Sequence, residues 1–134
     1  MEYTDRIVDA FALAFDLHRT QKRKGSETPY LTHLMATASI VGEFGGDEDQ
    51  FIAALLHDAV EDQGGRKTLD LVRARFGDRV ADFVDGCSDS DAQPRPPWRE
   101  RKERHLVKAA TAAPELRLLI AADKLHNART MLTD

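Results

Sequence analysis

The run His57-Asp58-Ala59-Val60-Glu61-Asp62 sets an imidazole and a carboxylate side by side and follows them with two more acids. Ile52, Ala53, Ala54, Leu55 and Leu56 lead into it, so these polar groups arrive on a stretch expected to be buried. A buried, ionised carboxylate costs several kcal/mol unless a cation or a hydrogen-bond network compensates it. Neutral imidazole and carboxylate are both good ligands for first-row divalent metals. Adjacent positions of a helix point about 100° apart, so His57 and Asp58 can clasp an ion lying between them. Glu61 and Asp62 each fall one turn later, with β-carbons about 5–6 Å from those of the pair. From there they reach a water or substrate at an ion they do not hold. The same acids are expected in the last turn of an apolar helix, where they oppose the helix dipole. That placement favours a functional role over a solvated helix end.

A second polar island, Asp123-Lys124-Leu125-His126-Asn127, follows the apolar run Leu118-Leu119-Ile120. Asp123 is a further candidate ligand. Asn127, one turn on, can orient it or donate to a substrate phosphate. His33 follows Pro29-Tyr30-Leu31-Thr32, a rigid lead-in that aims it inward. His126 reads as a hydrogen-bonding neighbour, His18 and His105 as structural or surface residues, and Trp98 as a packing anchor. Cys87 has no histidine context suited to a nucleophile.

The elements that must position these groups are helical almost throughout. Thr4 is the expected N-cap of a first helix reaching about Thr20. The polar loop from Gln21 to Pro29 precedes a second helix from about Thr32 to Gly42–Gly46. Asp47 opens a continuous third helix through Asp62, ended by Gly64-Gly65. Thr68 is the expected cap of the next, Gly77 interrupts before residues 78–86, and the proline-bearing stretch 87–97 is a loop. A helix restarts at Trp98, and Pro114 sits in the first turn of the last one. That final pattern is still apolar near Asp134, so the bundle is expected to be truncated in, or to lack, its C-terminal helices.

The 134 residues suit a single domain, 1–134, with 42% hydrophobic and 31% charged residues. No apolar run approaches the roughly 20 residues needed to span a bilayer. The acidic start does not resemble a signal peptide, and a lone cysteine fits a reducing compartment, so a cytoplasmic location is expected. A net charge of −4 argues against general nucleic-acid binding. Its distribution is uneven: twelve acids face five bases from Asp47 to Asp91, and basic clusters flank that stretch at 19–24 and 95–108. An acidic centre suits a cation, and basic flanks suit phosphate.

In chain order, His33, His57-Asp58 and Asp123 resemble the set for which the HD phosphohydrolase superfamily is named. RKGSETPYLTH, AALLHDAVED, FGDRVADFVDG and ADKLHNART are similar to successive blocks of the hydrolase domain of the RelA/SpoT family. The likeness is strongest to small stand-alone alarmone hydrolases, and it spans Arg23 to Thr130. It implies an all-α HD-domain bundle that removes the 3′-pyrophosphate of guanosine 3′,5′-bis(diphosphate) or its pentaphosphate relative. By resemblance, His33, His57, Asp58 and Asp123 hold one Mn²⁺, while Glu61 and Asp62 activate and position the attacking water. Asn127 sits beside phosphate or ribose, and Arg23 with Lys24 lies against the guanine or ribose side. Arg101 and Lys102, with Arg99 and Arg104, are candidates to clamp polyphosphate oxygens. Two imidazoles and two carboxylates also accommodate Fe or Zn. Leu34 stands where family members usually carry Pro, and residues 87–98 replace a stretch that commonly contacts substrate. An HD phosphohydrolase of another nucleotide or phosphomonoester, and a non-catalytic nucleotide-binding module, are the alternative readings.

Overall fold

A computed structural model describes residues 2–88 and 97–133. Eight helices are present among them: α1 (Arg6–Leu17), α2 (Tyr30–Glu43), α3 (Glu48–Leu56), α4 (Ala59–Asp62), α5 (Gly65–Phe76), α6 (Asp78–Cys87), α7 (Trp98–Thr111) and α8 (Pro114–Thr133). The all-α expectation holds, and none of these helices is long and apolar enough to cross a membrane.

Helix α3 is the hub because its second half is an unbroken apolar run: Ile52, Ala53, Ala54, Leu55 and Leu56 are all buried. It packs against α1, α2, α6 and α8. Leu34, Val41, Val72, Val80, Val84 and Leu119 complete the innermost layer, each wholly or almost wholly inaccessible. A core leucine of this kind, truncated to alanine, typically costs about 2–5 kcal/mol. Small residues allow close approach where α6 meets α8: a β-carbon on Gly86 would lie 2.7 Å from Leu116 Cδ2. The start of α3 is pinned by a capping box, in which the Asp47 carboxylate accepts from Gln50 N–H while the Gln50 side chain accepts from Asp47 N–H.

Several expected boundaries move. The first helix is shorter than Thr4–Thr20, running from Arg6 to Leu17. Thr4 caps its start as expected, its hydroxyl oxygen accepting from Arg6 N–H at 3.3 Å, and the same hydroxyl donates to the Glu48 carboxylate at 2.7 Å, tying α1 to α3. Helix α2 begins at Tyr30, directly after Pro29, rather than at Thr32. Thr68 is not a cap, since α5 starts at Gly65 and the buried Thr68 hydroxyl donates to the Gln63 carbonyl at 2.5 Å. Gly64, at φ +105°, makes the left-handed turn that allows this entry. Cys87 closes α6, and the loop expected at 87–97 falls mostly on residues 89–96, outside those described. Trp98, expected as a packing anchor, is 67% exposed, and α7 buries none of its residues.

The largest departure lies at the centre of interest. The helix expected to run unbroken from Asp47 to Asp62 stops at Leu56, and Asp58 adopts φ −99°, ψ 1° before α4 begins. This is the bridge region of backbone space, sparsely used and common at active sites. Glu61 and Asp62 therefore occupy a separate single turn, Ala59–Asp62, instead of the last turn of a long apolar helix, and the dipole argument for them does not apply.

Candidate active site

Three helices and one break bring the expected ligands together. His33 points inward from the first turn of α2 and is 1% exposed; His57, at the end of α3, is 3% exposed. Asp58 follows at the break, and Asp123 comes from the middle of α8. One potential ligand atom from each of the four lies within 4.8 Å of all the others. His33 Nε2 is 2.8 Å from Asp123 Oδ1 and 3.6 Å from Asp58 Oδ2. His57 Nε2 is 3.1 Å from each of the same two oxygens.

The chemistry of this donor set fits a divalent cation. His57 Nδ1–H donates to the Ala54 carbonyl at 2.6 Å, which leaves the Nε2 lone pair of a neutral ring facing two carboxylate oxygens. Lone pairs converging on carboxylates repel unless a proton or a metal ion lies between them. Ligands about 2.1 Å from a common ion, at right angles to one another, are about 3 Å apart, close to the spacings observed. Without an ion, protons take its place. Burial alone would push the His57 pKa down, but the charge of Asp58 and the hydrogen bond that His57 donates to Asp123 outweigh it and raise the imidazole well above its ordinary value. Burial likewise works to raise Asp123, and the hydrogen bonds of His33 and His57 overcome it, holding the carboxyl far below the usual range.

A supporting ring surrounds the four. Tyr30 donates to Asp58 Oδ2 at 2.5 Å, and burial with the Asp58 charge keeps its phenol protonated. His33 and His126 share a hydrogen bond between their Nδ1 atoms at 2.7 Å, as expected of a neighbour rather than a ligand. Burial, with the charges of His33 and Arg23, lowers His126 to about 4. Lys124 Nζ lies 3.3 Å from the other oxygen of Asp123.

Asp62 accepts from Gln21 Nε2 at 3.3 Å, and Gln21 Oε1 in turn accepts from Gln63 Nε2 at 2.9 Å. Burial and the charge of Asp58 push the Asp62 pKa up, which suits a group that accepts a proton. Glu61 is half-buried beside it on α4. His18, expected to be structural, is buried against Tyr30 with ring centroids 5.3 Å apart and bonds Gln21 at 2.7 Å.

On the open side, Asn127 Nδ2 lies 3.5 Å from Asp123 Oδ1 and its carbonyl accepts from Arg23 at 3.0 Å. The loop before α2 aims Arg23 there: Arg23 N–H donates to the Thr28 carbonyl at 2.8 Å, folding residues 22–29 into a tight return. Arg23, Lys24, Tyr30, Asn127, Thr130 and Met131 wall a cavity of about 380 Å³ next to the cluster. Arg101 and Lys102, half-buried on α7, are not among those walls. Tyr30, Gln21 and Thr130 were missed from the sequence. Tyr30 carried a signal, because it precedes His33 by three positions and so shares its face of α2.

Comparison with known proteins agrees with this arrangement. Residues 10–134 match the HD domain family. Mouse guanosine-3′,5′-bis(diphosphate) 3′-pyrophosphohydrolase is 36% identical over 129 residues, covering 94% of this chain and 69% of that protein. A probable GTP pyrophosphokinase of Mycobacterium leprae is 39% identical over 123 residues, 91% of this chain but 15% of its own length. The chain thus spans a small part of that long bacterial relative and about two thirds of the mouse enzyme. A solved structure of a metazoan ortholog of SpoT, described as hydrolyzing ppGpp, superimposes with a TM-score of 0.88 at 30% identity, over 99% of this chain and 74% of that one. The chain belongs to the HD domain family.

Proposed function

We propose that this chain is a pyrophosphohydrolase of guanosine 3′,5′-bis(diphosphate) and its pentaphosphate relative, acting in the cytoplasm through one Mn²⁺ held by His33, His57, Asp58 and Asp123. The observation that carries this reading is the convergence of those four side chains within 4.8 Å beside a cavity of about 380 Å³. That volume is in the range of small-molecule sites, about 300–1,000 Å³. The names of the mouse and metazoan relatives support the choice of substrate.

A divalent cation at this cluster supplies a more acidic water and a Lewis acid for the scissile phosphoryl group. Glu61 and Asp62 take the proton of the attacking water and hold it in line. The water oxygen bonds to the phosphorus carried on the ribose 3′-oxygen, the bond from that phosphorus to the 3′-oxygen breaks and the 3′-oxygen takes up a proton, releasing pyrophosphate with GDP from the tetraphosphate or GTP from the pentaphosphate. Asn127 donates to the phosphate or ribose next to Asp123. Arg23, held by Asn127 and Thr130, offers a planar cation in the cavity wall on which a purine stacks, with Lys24 beside it. Arg101 and Lys102 belong to this reading only as outer contacts to the polyphosphate. Residues 1–134 act as one domain.

Incubating the pure chain with Mn²⁺ and the guanosine tetraphosphate tests the reading. GDP and pyrophosphate in equal amounts are the expected products. Orthophosphate release, or turnover of other nucleotides alone, would point to a different HD phosphohydrolase. Tight binding without turnover would point to a non-catalytic module.

A further inference from the structure

The two candidate histidine ligands are oriented in different ways. His57 has its outer nitrogen fixed by a backbone carbonyl, Ala54 O at 2.6 Å, which no side-chain replacement removes. His33 is gripped at both ring nitrogens by one helix: α8 presents Asp123 to its Nε2 at 2.8 Å and His126 to its Nδ1 at 2.7 Å. Asp123 and His126 are three residues apart, so they share a face of α8 and bracket the ring. All three groups are largely buried, and the rings of His33 and His126 lie with centroids 4.9 Å apart and planes inclined by 30°.

Only one proton can occupy the short Nδ1–Nδ1 contact, and its owner decides whether His33 can ligate. If His126 owns it, a neutral His33 must carry its proton on Nε2, where an ion would have to displace it. If His33 owns it, Nε2 is free to ligate, and His126 must be the tautomer protonated on Nε2. The second arrangement also has an outlet. A cavity of about 70 Å³, walled by Arg23, Thr28, Thr32, His33, His126 and Thr130, adjoins the ring and is polar enough to take that N–H to water.

We propose that His126 is a positioning residue for the metal centre: a neutral acceptor that holds the proton on His33 Nδ1 and so keeps the Nε2 lone pair directed at the ion. This rests on the metal reading above and adds to it a residue outside the ligand set. A ligating histidine usually hands its second N–H to a carboxylate, a carbonyl or water, and loss of such a partner commonly costs about 10–100-fold in metal affinity. Here a second imidazole fills that place, contributing no negative charge to a site that already holds Asp58 and Asp123.

Two measurements test the proposal without relying on turnover. In the wild-type protein loaded with diamagnetic Zn²⁺ and labelled with ¹⁵N-histidine, the shared proton should be bonded to His33 Nδ1. A ¹⁵N–¹⁵N coupling should join it to His126 Nδ1 across the hydrogen bond. A proton bonded to His126 Nδ1 overturns the proposal. In Mn²⁺ titrations followed by electron paramagnetic resonance, His126→Leu should bind about 10–100-fold more weakly, whereas His126→Gln, whose amide oxygen can still accept, should stay near wild type. Equal affinity in His126→Leu and wild type, or equal loss in both variants, overturns it. A wild-type protein that binds no divalent ion would overturn the metal reading itself, a result distinct from either of these.

Discussion

Helix α3 carries acids at both ends, and the two ends settle their charge differently. At the start, Asp47, Glu48 and Asp49 meet permanent cations: Arg6 lies 2.9 Å from Glu48 and 3.0 Å from Asp49, and Arg79 lies 2.9 Å from Asp47 and 3.1 Å from Asp49. Just past the other end, Asp58 faces imidazoles and a phenol, together with Asp123, whose outer oxygen is 3.3 Å from Lys124. The first corner is half open to solvent and ties α1, α3 and α6 together. The second is buried and sets imidazole nitrogens against carboxylate oxygens, an arrangement that suits a cation of its own. Counting acids along the sequence does not separate a clamp from a metal centre. What separates them is whether guanidinium or imidazole arrives opposite the carboxylates.

The sharpest way to break this contrast is through the chemistry. Glu61→Gln should slow turnover by about 10²–10⁴-fold, the usual contribution of a positioned acid or base, while Mn²⁺ affinity stays close to wild type. Asp47→Asn, equally acidic in origin and on the same helix system, should leave kcat near wild type. A Glu61→Gln enzyme with undiminished kcat would remove Glu61 from the mechanism and leave Asp62 to act alone.

Binding energetics give the next largest contrast. Mn²⁺ at 100 times its Kd should stabilise the wild-type fold by about 2.7 kcal/mol in chemical denaturation. Asp123→Asn should abolish that increment, because the position loses a charged oxygen shared by both histidines. Asp47→Asn should retain all of it. Stabilisation by Mn²⁺ that survives in Asp123→Asn would place the ion elsewhere.

Much of this was legible in the sequence because it rests on local rules. The apolar run into His57, the glycine stops and Pro114 at a helix start announce the helices, and the four candidate ligands stand in the chain order that the resemblance to the HD superfamily implies. The break at Asp58 was not legible. Residues 51–62 keep a helical pattern of polarity, and the contacts made at the break are tertiary: Tyr30 and His33, both from α2, engage the Asp58 side chain. Gln21 and Thr130 escaped for a similar reason, since each enters the site through a partner more than 40 residues away, Asp62 and Arg23. Thr68 was misread as a cap because a hydroxyl near a helix start has other acceptors within reach, here the Gln63 carbonyl.

The smallest effect belongs to the clamp, and pH resolves it. Asp47 both caps α3 and pairs with Arg79. Burial works to raise its pKa, but the hydrogen bonds from Arg79 and from the Gln50 backbone outweigh this and hold it below the ordinary value of 3.8. A carboxyl whose folded pKa is depressed stabilises the fold fully above its unfolded pKa. It loses that contribution as pH falls through the folded one. Asp47→Ala should therefore cost about 1 kcal/mol at neutral pH, the usual loss for an N-cap, and the gap to wild type should narrow below about pH 4. Asp47→Asn keeps an acceptor for Gln50 N–H and gives up only a half-exposed ion pair, so its cost should be smaller, about 0.2–1 kcal/mol. Its difference from wild type should close over the same acid range, because protonation removes from Asp47 the charge that Asn never had. A gap between Asp47→Asn and wild type that stays constant from pH 7 to pH 3 would show that the Arg79 pair contributes nothing and that the corner is held by capping alone.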